Sequence, residues 1–150
     1  MFLVVNFADW QACIMNNKEP VAVVLAFMDA INARDVDRLC ALMSDDHLFV
    51  DALGTEVRGR EAMRKAWKVY FQWFPDYRIS HEEIFSDGAT TVAAFGSAEG
   101  TYAKNGQLAN ENHWSMPAAW RAVVRDGLLE QWRVYADNQA ARKVMGWPNP

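Results

Sequence analysis

Apolar positions in the first half of the chain recur at helical intervals. Counted from Met63, apolar side chains follow at three, four, seven, eight and eleven residues, ending at Phe74. This is the wide stripe of an amphipathic helix, which we expect to begin at Gly59 and stop before Pro75. The same spacing predicts a helix over residues 20–33 with a proline in its first turn. Asp35 is suited to cap a short second helix that includes Met43, and a strand is expected over residues 47–51.

After residue 75 the helical pattern gives way to a strand pattern. Segments 77–85, 90–102, 107–124 and 128–136 are rich in β-branched and aromatic residues, and Asp-Gly or Asn-Gly pairs separate them. Such pairs favour tight hairpins, so these segments predict an antiparallel meander. Strands of this length must curve, and we expect the bends at Gly96, Gly100 and Pro117. A short helix is predicted over residues 138–145.

Helices first and a curved sheet afterwards indicate an α+β fold, in which the sheet wraps a helix and can leave a cavity between them. The length of 150 residues suits one domain. We divide the chain into an extension or extra helix at 1–17, a domain at 18–146 and a tail at 147–150.

Composition narrows the classes of partner. The net charge of −4 and the absence of a basic patch with interleaved aromatics exclude a typical nucleic-acid binder. The apolar amino-terminal segment has no basic start and no small-residue cleavage site, and no apolar run reaches membrane-spanning length. Cys13 and Cys40 have no metal-ligand spacing, and we expect a cytoplasmic protein.

Several short segments carry a resemblance to a known fold family. They are residues 27–31 (Phe-Met-Asp-Ala-Ile), Asp35, the Asp45-Asp46 pair, residues 59–62 (Gly-Arg-Glu-Ala) and residues 132–135 (Trp-Arg-Val-Tyr). Their order resembles the nuclear transport factor 2-like superfamily, which includes ketosteroid isomerases, limonene epoxide hydrolases, scytalone dehydratases and SnoaL-like polyketide cyclases. The resemblance implies a cone-shaped, cystatin-like α+β barrel with three amino-terminal helices packed in a curved, mainly antiparallel sheet. One fold hosts many functions, so the fold alone does not identify the reaction or the residues that carry it out.

Asp51 is the first candidate for catalysis. Residues 50–54 (Val-Asp-Ala-Leu-Gly) resemble the strand end of ketosteroid isomerases, which implies that Asp51 is a proton-transfer base. A carboxylate beside apolar walls is poorly solvated and accepts protons more readily near neutral pH. The alternative is that Asp51 only caps the turn at Gly54.

Two further candidates for catalysis, His113 and Trp120, lie on the fourth strand that the resemblance implies. The ketosteroid isomerase oxyanion donors fall on Phe27 and near Ala119 or Trp120, and the indole N–H of Trp120 is a possible substitute donor. Strict alternation directs His113 to the outer face of the sheet, whereas a bulge at Pro117 would turn it toward a pocket. The three histidines lack metal-ligand spacing, so no metal or other cofactor is expected.

A large set of aromatic and apolar residues is predicted on inward faces. The set has two compatible interpretations: a core, or the wall of a pocket for a small hydrophobic or ring-containing molecule. The predicted substrate-binding residues are Phe27, Phe49, Trp67, Tyr70, Tyr102, Trp114, Met116, Trp132 and Val134.

These observations lead to one functional hypothesis and two alternatives. The hypothesis is a cofactor-independent isomerase, cyclase or dehydratase that uses Asp51 as its base. The first alternative is a non-catalytic ligand-binding or dimerisation module of the same fold. The second is an epoxide hydrolase, although Val134 replaces the last-strand acid of that family and residues 94–98 lack its Arg and Asp. Gln131, Arg133 and Tyr135 suggest a homodimer through the outer sheet face.

Overall fold

A computed structural model describes residues 19–148 of the chain. Its helices and strands follow in the order α1 (Pro20–Ala33), α2 (Val36–Leu42), β1 (Met43–Val50), β2 (Glu56–Arg58), α3 (Arg60–Trp73), β3 (Arg78–Ser86), β4 (Thr91–Thr101), β5 (His113–Arg125), β6 (Leu128–Ala136) and α4 (Gln139–Met145). A single 3₁₀ turn, Asn110–Asn112, precedes β5. The amino-terminal segment predicted as an extension or extra helix, with Cys13, lies outside the described residues.

The strands form one six-stranded sheet in the order β2-β1-β6-β5-β4-β3. β1 and β6 are parallel, and every other pair is antiparallel. Helices α1 and α3 pack against the sheet, α2 packs on α1 and α3, and α4 packs on β5. The predicted α+β architecture, with three amino-terminal helices and a mainly antiparallel sheet, is confirmed.

The first helices begin where local chemistry favours them. Pro20 occupies the first turn of α1, and the backbone N–H of Arg38 donates to the side chain of Asp35 at 2.9 Å, which confirms the predicted cap of α2. Gly59 precedes α3 at φ 98°, a conformation that favours glycine. Its N–H donates to the carbonyl of His47 at 2.8 Å, which fixes α3 to β1.

The end of the molecule where β1 and β6 begin is solid. We call it the closed end and define it by Phe27, Leu39, Met43, His47 and Leu129, each with at most 1% of its surface exposed. Met43 pairs with Leu129 across the parallel strands. Met43 therefore belongs to β1 and not to α2 as the sequence pattern suggested, because the chain becomes extended directly after Leu42.

β5 shows an uninterrupted alternation of buried and outward residues. The bulge expected at Pro117 is absent, since Pro117 pairs in register with Ser97 of β4. The lost N–H is tolerated because the pairing of β5 with β6 starts one residue later, at Ala118. A register shift lies instead in β3, between His81 and Glu83.

Gly96 faces this shift across the β3–β4 pair. A Cβ atom at Gly96 would lie 2.0 Å from the carbonyl oxygen of Ser80, so only glycine permits the close approach of the two backbones. The bend expected at Gly96 is therefore correctly located, although the extra residue is in the neighbouring strand.

Two other differences concern short or irregular segments. β2 was not predicted, because three residues carry too little pattern to distinguish a strand. The expected direct hairpin through Asn105 and Gly106 is a longer connection: β4 ends at Thr101 and β5 starts at His113. A local bridge between Lys104 and Gln107 encloses the Asn-Gly pair.

Candidate functional site

A cavity of about 270 Å³ lies between α3, the inward face of the sheet and α4. Its walls are mainly aromatic and aliphatic. The lining residues are Ile31, Phe49, Asp51, Ala52, Met63, Ala66, Trp67, Tyr70, Trp73, Tyr77, Ala98, Trp114, Met116, Ala118, Trp120, Trp132, Val134, Ala136, Asn138, Ala141, Arg142, Met145 and Trp147.

Tryptophan is concentrated in this wall. Six of the seven tryptophans in the chain line the cavity, and the seventh, Trp10, lies outside the described residues. The rings of Trp120 and Trp132 are stacked with centroids 6.2 Å apart, and Trp67 stacks on Phe71 at 5.2 Å. Flat aromatic walls of this kind suit a flat or ring-shaped ligand.

Asp51 stands at the carboxyl end of β1 and contributes the only carboxylate among the described lining residues. Its Oδ1 accepts the backbone N–H groups of Leu53 and Thr55, each at 2.8 Å. Oδ2 makes no hydrogen bond within the described residues. The turn-capping role and a position in the cavity wall are thus both present, and they use different oxygens of one carboxylate.

Polar atoms in the aromatic wall are mostly hydrogen-bond donors. The indole N–H groups of Trp67 and Trp114 are buried and have no acceptor within residues 19–148. The rings of Tyr70 and Tyr77 meet edge to face at 4.9 Å. Burial raises the pKa of both phenols well above the ordinary value, so they remain neutral near pH 7.

One side of the cavity wall is formed by α4 and the residues after it. Trp147 packs edge to face on Trp73 with ring centroids 5.7 Å apart, and 48% of Trp147 is exposed. Arg142 lines the cavity with only 9% of its surface exposed. We call Asp51, Trp73, Asn138, Arg142 and Trp147 the open end of the molecule.

Nine of the twelve predicted site residues line this cavity, and three do not. The nine are Asp51, Trp120, Phe49, Trp67, Tyr70, Trp114, Met116, Trp132 and Val134. Phe27 is wholly buried in the closed end, where its ring lies 5.0 Å from that of Trp132. Tyr102 follows the end of β4 and packs on Phe74 at 6.0 Å.

His113 lies on the exposed side of β5, as strict alternation requires, and the structure does not bring it to the cavity. Its Nδ1 is 3.1 Å from Oγ1 of Thr101, whose hydroxyl donates to Asp76 at 2.7 Å. Desolvation raises the pKa of Asp76, but hydrogen bonds from the Thr101 side chain and backbone outweigh it and leave the pKa lowered. The three residues tie the start of β5 to the loop after α3.

The sequence pattern missed the contributions of Trp73, Tyr77 and α4. Trp73 and Tyr77 flank Pro75, where the helical pattern ends, so neither belonged to a predicted face. Arg142 and Trp147 belong to a short helix and a segment expected to be a tail. In the sequence, only the large apolar side chain of Trp147 indicates that the segment after α4 packs on the domain.

His47 is a buried polar residue of the closed end. Its Nδ1–H donates to the carbonyl of Leu129 at 2.7 Å, and Nε2 has no partner within the described residues. Desolvation lowers the pKa of the imidazole. His47 is therefore held neutral, and its place in the closed end gives it a structural role.

Residues 19–148 contain neither a candidate metal cluster nor a helix suited to span a membrane. No three His, Cys, Asp or Glu side chains there are arranged to hold a metal ion. None of the helices in that range has the length and apolar character needed to cross a bilayer.

The sequence matches the model of a family described as the SnoaL-like domain, over residues 24–132. No curated protein matches the sequence. Solved structures of similar fold include a candidate SnoaL-like polyketide cyclase from Jannaschia sp. CCS1, at 19% identity and a TM-score of 0.72 over 88% of this chain and 96% of that chain.

Two other solved structures of similar fold are a ketosteroid isomerase-like protein and an epoxide hydrolase. A protein with a ketosteroid isomerase-like fold from Catenulispora acidiphila, solved with trimethylamine, has 18% identity and a TM-score of 0.70 over 85% of this chain and 97% of that chain. An LEH-like epoxide hydrolase of M. tuberculosis has 19% identity and a TM-score of 0.69 over 83% of each chain. Similarity at this level of identity shows the shared fold. The match to the SnoaL-like family model confirms the resemblance to the nuclear transport factor 2-like superfamily, which includes SnoaL-like proteins.

Proposed function

This chain belongs to the SnoaL-like domain family, and we propose that its cavity binds a small hydrophobic, ring-containing molecule. In this proposal Asp51 moves a proton at the carbon next to a carbonyl group of that molecule. The observation that supports it is a cavity of about 270 Å³ walled by six tryptophans, with one carboxylate among its described lining residues.

The proposed chemistry is isomerisation, cyclisation or dehydration through an enolate. Asp51 takes the proton from the carbon, the C–H electron pair forms a C=C bond, and the carbonyl oxygen becomes an enolate. The backbone N–H groups on Oδ1 fix the carboxylate while Oδ2 is left to accept the proton. The indole of Trp120 and the neutral phenols of Tyr70 and Tyr77 are candidate donors to the enolate oxygen.

The test measures proton exchange on 2-tetralone, a bicyclic ketone with acidic protons next to its carbonyl. We expect the protein to accelerate replacement of these protons by deuterium in D₂O, followed by NMR. Asp51→Asn should lower the catalysed rate by roughly 10²–10⁴-fold, since general-base catalysis contributes that much. The fold should survive, because an amide oxygen still accepts the two N–H groups.

Asp137→Asn is the matched control. Asp137 also follows a strand and accepts a backbone N–H, from Gln139 at 3.0 Å, but it is outside the cavity lining. Its exchange rate should equal that of the wild type. Exchange at the background rate with the wild-type protein, or an unaffected Asp51→Asn rate, would remove Asp51 from the mechanism.

The alternatives predict different results. A non-catalytic binding module would bind 2-tetralone without accelerating exchange. An epoxide hydrolase of the usual kind needs further acids, and among the described lining residues Val134 occupies the last-strand position and Ala98 is the only β4 residue. The cytoplasmic location remains part of the proposal, supported by the free, buried thiol of Cys40.

We further propose a homodimer through the outer sheet face. That face exposes Phe85, Phe95 and Tyr135, with the two Phe rings edge to face at 6.0 Å. Light scattering should give twice the 17.1 kDa of one chain. Phe95→Glu should give monomers, whereas Leu108→Glu, on the exposed β4–β5 connection, should not. A monomeric wild type would contradict the proposal.

A further inference from the structure

Arg142 is a buried cation without an anionic partner in the described chain. Only 9% of its surface is exposed, and it forms part of the cavity wall. Within residues 19–148, its guanidinium makes one hydrogen bond, from Nη2 to the carbonyl of Pro148, and Nε has none. No carboxylate of those residues lies within 4.0 Å of it.

Three other arginines within residues 19–148 have carboxylate partners. Arg60 pairs with Asp45 at 2.6 Å, Arg64 with Asp37 at 2.5 Å and Arg125 with Glu130 at 2.9 Å, although all three are more exposed than Arg142. A charge removed from water without a counter-charge is costly, and the cost falls when an anion enters the same site.

The cavity does not supply that anion from its own described wall. Asp51 is the only carboxylate there, its Oδ1 is occupied by the N–H groups of Leu53 and Thr55, and it forms no ion pair with Arg142. The indole N–H groups of Trp67 and Trp114 are buried and likewise have no acceptor within residues 19–148. A ligand that carries acceptor oxygens would supply the partner that the described wall does not give to Arg142.

We propose that Arg142 binds a carboxylate group on the ring-containing ligand of the cavity. The inference rests on the proposed function and narrows its ligand class to ring-containing carboxylic acids. A guanidinium presents parallel N–H donors that match the two oxygens of a carboxylate. Because Asp51 repels a second negative charge, the carboxylate takes the α4 side and the reacting carbon takes the side of β1.

The test compares two probes that share one ring system, 2-naphthoate and 2-naphthamide, by isothermal titration calorimetry at pH 7.5. The wild type should bind the acid about 10- to 100-fold more tightly than the amide, the range for a hydrogen bond to a charged group. Arg142→Met should abolish this preference and leave amide binding nearly unchanged. Lys143→Met is the matched control, since Lys143 is the exposed neighbour on α4 and should be dispensable.

The outcomes separate this inference from the proposed function. Equal affinity of the wild type for acid and amide would overturn the role of Arg142, whether or not Arg142→Met folds, and would leave the cavity as a ring-binding site. Failure of both probes to bind would overturn the proposed function and this inference with it. Asp51→Asn should keep or strengthen the preference for the acid, because it removes a repelling charge, and a lost preference would contradict the assignment.

Discussion

The closed end and the open end of the molecule contain similar aromatic and apolar residues, but the closed end is fully packed and the open end encloses a cavity. At the closed end Phe27, Leu39 and Leu129 have no exposed surface, and even the imidazole of His47 is packed between them. At the open end Trp73 and Trp147 meet at an angle and leave a cavity behind them. Close packing lowers the energy of the fold, whereas incomplete packing leaves room for a ligand.

The polar groups of the two ends also differ in charge and in their partners. His47 is neutral and donates to the backbone carbonyl of Leu129 at the closed end. The open end holds one carboxylate, Asp51, and one guanidinium, Arg142, that form no ion pair with each other. The comparison predicts that substitutions at the closed end change stability and that substitutions at the open end change binding.

The largest expected effect is at Leu129. Leu129→Ala should lower the free energy of unfolding by about 2–5 kcal/mol, because it removes a fully buried side chain and leaves a void. Trp147→Ala at the open end should cost less than about 1 kcal/mol despite the larger side chain, since the residue is half exposed. Urea unfolding followed by circular dichroism measures both. Equal losses would contradict the division into two ends.

A smaller effect on the stability of the fold is expected when the pH is lowered and His47 takes up a proton. Its pKa is lowered in the folded state, so the unfolded chain takes up the proton first as the pH falls. Stability should therefore be full above the unfolded pKa, near 6.5, and decline below it by at most about 1.4 kcal/mol per pH unit. Urea midpoints at pH 7.5, 6.0 and 5.0 give this slope.

His47→Gln should remove that part of the slope, and His81→Gln should keep it because His81 is exposed on β3. An identical slope in wild type and His47→Gln would show that the imidazole is not responsible.

The two ends were also unequally predictable from the sequence. Helical spacing identified Met63 and Trp67 as one face of α3, and alternation identified Trp114, Met116 and Trp120 as one face of β5, because a regular element repeats its burial pattern. Asp51 was found through the resemblance of its strand end. These patterns and the resemblance located nine of the 23 residues that line the cavity.

Other lining residues escaped prediction because they lie at the end of α3, in the loop after it or on α4. Trp73 and Tyr77 flank a helix-ending proline, and Arg142 takes its place from the packing of α4 on β5, which no local pattern encodes. Phe27 and Tyr102 are aromatic and were predicted to face inward, but they lie away from the cavity. Sequence periodicity predicts which face of a helix or strand a residue occupies. The distance of that residue from the cavity depends on how the helices and strands pack together.

A titration of 2-tetralone into ¹⁵N-labelled protein tests whether the open end is a ligand site. The titration follows the indole N–H signals of the cavity tryptophans, which single Trp→Phe variants assign. We expect saturable shifts in the wild type and in Ala62→Phe, an exposed position of α3. The shifts should be lost in Ala66→Phe, one helical turn later, because Ala66 lines the cavity and a larger ring there would occupy it. Undisturbed indole signals in the wild type, or the same shifts in Ala66→Phe, would contradict it.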